Sequence, residues 1–240
     1  MTPSTTSATR RASPATKTQV TPSTRGLIAT AVVAGIPAGL VYAFATLTLA
    51  SPVLFQAEAI ELGVQVNQSW GRALWTIVGS VGLAIGLALL LVPAVRACGP
   101  PSLRKGFAIS GFAFVAMVLV PGLFMAPLPP GVEHTASVAT RQAAWLAAGA
   151  TFCLLYLLGA SALDRLRQTT LGKTVSTITV IAGLTMLIAL YWQGGLGGHS
   201  EHGLPSGLVS GFQHVAGLAN GALFLTLALS IPTALKRLQP

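Results

Sequence analysis

Acidic side chains are nearly missing from this chain, five in 240 residues, and charged residues of both signs reach only 8%, against about a quarter in soluble domains. So few charges cannot clothe a water-facing surface while 52% of the residues are hydrophobic and the mean hydropathy is +0.72. A soluble globule is excluded, and the solvent is lipid. Cysteine is scarce too. Cys98 and Cys153 stand far apart, with no C-x-x-C or paired spacing, which excludes a metal knuckle or redox pair and leaves both as small buried hydrophobes. No G-x-x-x-x-G-K-[ST] loop occurs, so the chain does not hydrolyse ATP itself. Ser210 and His214 share one expected helix, whereas a nucleophile and its base usually meet across elements. Neither an enzyme activity nor a cofactor is expected.

What is present begins with basic charge, fourteen Lys and Arg for a net +9. These residues fall in short clusters between apolar runs with no interleaved aromatics. That is the pattern of topology signals, and nucleic acid is set aside as a partner. Residues 1–25 hold eight Thr, four Ser and three Pro with almost no large apolar side chain, the composition of a disordered cytoplasmic tail. Residues 26–240 form the polytopic membrane domain.

Six apolar stretches follow, at 27–50, 73–95, 107–126, 143–163, 174–193 and 208–234. Each is long enough to cross about 30 Å of hydrocarbon as a helix, the form that satisfies its own backbone in a bilayer. The expectation is an all-α integral membrane protein, a bundle of six transmembrane helices. Twelve of the fourteen Lys and Arg fall on one side of this arrangement, leaving Arg72 and Arg141 on the other. The excess of positive charge marks the cytoplasmic side, so both termini are placed inside. Four small-xxx-small pairs, Gly35/Gly39, Gly82/Gly86, Gly207/Gly211 and Gly217/Gly221, predict closely packed helices.

Polar chemistry gathers at the outer face. Glu58 and Glu61, after Gln56 at the end of the first span, share one face if the helix continues there. Carboxylates near the hydrocarbon edge are costly unless they meet a cation or water, so the pair reads either as a cation site or as ion pairs with Arg72 or Arg141. His199, Glu201 and His202 crowd a glycine-flanked loop between the fifth and sixth spans, a donor set suited to cobalt, nickel or zinc, and Glu133 and His134 can complete the shell. On the last span Gln213 and Asn220 form one helical stripe with His214 beside it. That stripe reads equally as a transport pathway or as interhelical hydrogen bonding. Gln142, next to Arg141, is a supporting polar group at the same face.

Three segments carry a family resemblance. Gln56-Ala57-Glu58-Ala59-Ile60-Glu61 resembles the QAExYE-like signature of the CbtA family. Thr140-Arg141-Gln142-Ala143-Ala144-Trp145 resembles its ARQxxW-like segment, and Leu218-Ala219-Asn220-Gly221-Ala222-Leu223-Phe224 its closing ATNALF-like helix, all in the family's order. The resemblance implies the membrane subunit of a cobalt uptake transporter serving cobalamin synthesis in a bacterial inner membrane. It also implies a small single-span CbtB partner carrying a terminal histidine cluster. From the residues alone a second class stays open, a non-transporting scaffold whose polar groups are structural.

Overall fold

The computed structural model describes residues 24–129, 137–166 and 204–238, with isolated helical positions between 174 and 185. The chain builds α1 (Thr24–Ala45), α2 (Ser51–Leu62), α3 (Trp70–Ala97), α4 (Leu103–Phe114), α5 (Val120–Phe124), α6 (Val138–Leu166) and α7 (Ser206–Leu238), with no strand among the described residues. It is an all-α membrane protein. Four helices among the described residues are long and apolar enough to cross a bilayer: Thr24–Leu62, Trp70–Ala97, Leu103–Leu123 and Gly207–Leu238. The 29-residue α6 stands where the fourth span is expected. The fifth expected stretch, 174–193, and the tail 1–23 lie largely or wholly outside the described residues.

The first helix is longer than its apolar stretch. It runs unbroken for 39 residues because Pro52, which would ordinarily break it, is absorbed by a widened turn at Thr46–Ala50. Proline offers no amide hydrogen and clashes with the carbonyl four residues back, and a π turn relieves both. Here the Ser51 amide donates to the Thr46 carbonyl, and the Ser51 hydroxyl donates to the same oxygen at 3.2 Å. The same device recurs between α4 and α5, where the π turn Val115–Leu119 closes with the Val120 amide on the Val115 carbonyl just ahead of Pro121.

The helix α1 sits between α3 and α7, α4 packs on α7, and α6 packs on α5 and the second π turn. Small residues make the approach possible at particular points. A Cβ on Gly35 would stand 2.7 Å from the Ile85 Cα, and one on Gly39 would collide with the Val81 backbone. Gly106 meets the Ala228 carbonyl of α7 in the same way. The other expected pairs behave differently, because at Gly82, Gly86, Gly207, Gly211 and Gly221 a Cβ would meet open space. On α3 it is the neighbouring face, with Ser80, Val81 and Ile85, that receives α1, so Gly82 and Gly86 point away from the crossing. Ala31, Ala34 and Ala38 of α1, Ala84 and Ala88 of α3, and Leu223, Leu227 and Ile231 of α7 fill the shared core. Phe44 and Leu90 are exposed, as lipid-facing residues are.

Charge sorts by end. Arg25, Arg96, Arg104, Lys105, Lys236 and Arg237 lie at one end of the helices, whereas Arg72 and Arg141 lie at the starts of α3 and α6, at the other. Cys98 caps the C-terminus of α3 and is exposed, so it is not the buried hydrophobe its sequence context suggests, and Cys153 is half-buried. The apolar run simply ends before Cys98, at the interface.

Candidate cation-binding site

The helix α2 continues through Gln56-Ala57-Glu58-Ala59-Ile60-Glu61 and stops at Gly63, whose φ of 65° is a left-handed cap that suits glycine. Ala57 is fully buried in a small cluster with Leu204 and Val209, which packs α2 on the start of α7. Glu58 follows immediately and is 16% exposed. Its Oε2 accepts a 2.7 Å hydrogen bond from the Arg72 guanidinium, which also lies over the Phe55 ring, 5.6 Å from its centroid. The arginine is aimed by the start of its own helix, where the Ser69 side chain caps α3 by accepting from the Arg72 amide. The α2–α3 connection is therefore pinned across its base.

Membrane depth follows from helix rise. Trp75 lies 21 residues from Arg96 along α3, about 32 Å at 1.5 Å per residue, close to the roughly 30 Å hydrocarbon thickness. Trp75, 75% exposed, thus takes the place of an interfacial aromatic at the far boundary. Arg72 and its partner Glu58 stand beyond it, in the headgroup layer. Of the two carboxylates Glu58 is largely covered, at 16% exposure, and Glu61 is exposed.

Glu61 lies on the same face of α2, is exposed, and has no ion-pair or hydrogen-bond partner among the described residues. Gln56 and Gln142 are exposed as well. The counter-ion is Arg72 and not Arg141, which belongs to another element. Arg141 sits in the first turn of α6 behind the capping Ser137, half-buried, with its Nε enclosed and without a hydrogen-bond partner. On α7, Gln213 is 2% exposed and His214 half-buried, and each is engaged by a neighbour. Asn220 donates through Nδ2 to the Ala216 carbonyl at 2.9 Å, a bond within its own helix. That bond joins no second helix and decides neither reading of the stripe.

Among the described residues no three His, Cys, Asp or Glu side chains come together as a metal cage. Glu58, Glu61 and His214 do not converge. Glu133, His134, His199, Glu201 and His202 lie outside the described residues. Two features escaped the sequence. One is the enclosed, unpartnered hydroxyl of Ser110 on α4. The other is the π turn. A signal existed for the first of these turns, since Thr46, Thr48 and Ser51 crowd the six residues before Pro52.

Long apolar helices with most of their basic residues gathered at one end define a polytopic membrane protein. The profile of the CbtA family, described as a probable cobalt transporter subunit, matches residues 24–236, nearly the whole chain, and the chain belongs to that family. No curated protein and no solved structure matches it.

Proposed function

We propose that this chain is the membrane subunit of a divalent cation uptake system, with cobalt as its substrate, and that Glu58 and Glu61 gather the ion at the outer mouth. The observation that carries this reading is the unequal neutralisation of the two carboxylates. Glu58 is held by Arg72, while Glu61, one turn on, has no such partner among the described residues. One local cation faces two acids, which leaves a site of net negative charge in a layer that water and ions reach. An arriving divalent ion displaces the guanidinium and bridges both carboxylates.

The histidine-bearing segment joins the chain close to Leu204 in the sequence. His202 lies two residues before Leu204, and Leu204 packs on Ala57, the residue next to Glu58. Glycines on both sides make the histidine segment a capture loop and not the element that imposes selectivity. Glu133 and His134 add donors at the same face, with Gln56, Arg141, Gln142, His214 and Asn220 in support. The chain catalyses no covalent step, resides in the bacterial inner membrane, and works with a single-span CbtB-like subunit.

The Glu58–Arg72 pair also favours a second reading, a scaffold in which the polar groups fasten the α2–α3 connection. Radiolabelled cobalt uptake in cells expressing the chain with and without its partner separates the two, with nickel and zinc as competitors. In the double variant Glu58→Gln, Glu61→Gln, transport predicts loss of uptake at normal membrane levels. Near-normal uptake leaves the scaffold ahead.

A further inference from the structure

A groove of about 310 Å³ runs between α1 and α7 on the bundle surface, walled by Val33, Pro37, Leu229 and Ala234 and closed at the basic end by Arg237. Three hydroxyls also line it, and all three are committed. Thr226 donates to the Ala222 carbonyl, Thr233 to Leu229 and Ser230 across the seam to Ala34, at 2.8, 2.7 and 3.0 Å. With its polar atoms occupied, the wall offers methyl and methylene surface to an occupant. From Arg237 to Thr226 is eleven residues of helix, about 16 Å, which matches one leaflet of a bilayer whose hydrocarbon is about 30 Å thick.

The charge at the mouth is one-sided. Arg237 is exposed and pairs with no carboxylate among the described residues, and Lys236 stands beside it. Arg25, at the start of the antiparallel α1, lies at the same end. We infer that this groove seats one anionic phospholipid of the leaflet at the basic end, its phosphate on Arg237 and an acyl chain along the α1–α7 seam. A lipid there braces the first and last spans where they meet.

The test uses the full chain in nanodiscs, comparing phosphatidylglycerol with phosphatidylcholine and reading lipid retention by native mass spectrometry and the unfolding temperature of the protein. The expected result is selective retention of one phosphatidylglycerol together with a higher unfolding temperature. Arg237→Gln should weaken that retention about fivefold, the scale of one basic side chain at an anionic surface, and Arg237→Lys should restore most of it. Ala234→Phe, which fills the groove, should remove retention of either lipid. Undiminished phosphatidylglycerol selectivity in Arg237→Gln overturns the assignment. So does a concentration-dependent dimer, abolished by Ala234→Phe and indifferent to lipid, which would give the seam to a second copy of the chain.

Discussion

The Ser230 hydroxyl donates to the main-chain carbonyl of Ala34 at 3.0 Å, joining the last spanning helix to the first across 196 residues of chain. Such bonds inside a bilayer contribute modestly, about 0.6 kcal/mol on average. Ser230→Ala should therefore lower thermal stability in detergent slightly and leave cobalt uptake intact. A large loss of folded protein would show that the seam depends on this bond more than its chemistry suggests.

The crossing of α1 and α3 should be far less forgiving. Gly39 meets the Val81 backbone directly, so Gly39→Leu must push the helices apart, and overpacking commonly costs about 1–3 kcal/mol. Gly82→Leu, whose side chain enters open space, serves as the control. Membrane levels and unfolding temperature should fall for the first and hold for the second.

Arg72 competes with metal for Glu58 in the proposed mechanism. The pair is partly exposed, Arg72 at 48%, so its strength belongs near the upper end of surface pairs, about 1 kcal/mol. Arg72→Gln should lower the cobalt concentration for half-maximal uptake by about threefold to fivefold. An unchanged or higher half-saturating concentration counts against displacement of the arginine.

Replacing His199 and His202 together by Ala should raise the half-saturating concentration while leaving the maximal rate largely intact, the signature of lost capture and not of lost translocation. Complete loss of transport would move the histidines into the conducting path. Reporter fusions at Gly131 and Gly203 should report an external location, with both termini internal; a cytoplasmic signal from either would break the six-span topology.

Much of this architecture is legible in the sequence because the bilayer imposes one-dimensional constraints. Apolar length marks Trp70–Ala97 and Gly207–Leu238 to within a few residues. Glycine spacing is less informative, since Gly35/Gly39 and Gly82/Gly86 look alike and only the first pair meets a helix. Which face of a spanning helix turns inward is not written in its composition when every face is apolar. The candidate site was half visible. Adjacent acids announce themselves, but the choice of Arg72 over Arg141 depends on the seven-residue connection Gly63–Ser69 bringing the start of α3 back alongside α2.

The π turn at Thr46–Ala50 also fixes a phase. Each residue of an α-helix advances the side chains by about 100° around the axis, and the wide turn takes up one extra residue without that advance, so it keeps the azimuth of everything beyond it. Deleting Leu49 would let the turn relax to ordinary winding with α2 still facing the same way, whereas winding all of Thr46–Ala50 as ordinary helix would swing α2 by roughly that angle. In that second case Ala57 would leave its pocket against Leu204 and Val209, and Glu58 would turn away from Arg72. The bearing of the two carboxylates is therefore set some dozen residues below them, by one proline and the residue count that leads to it.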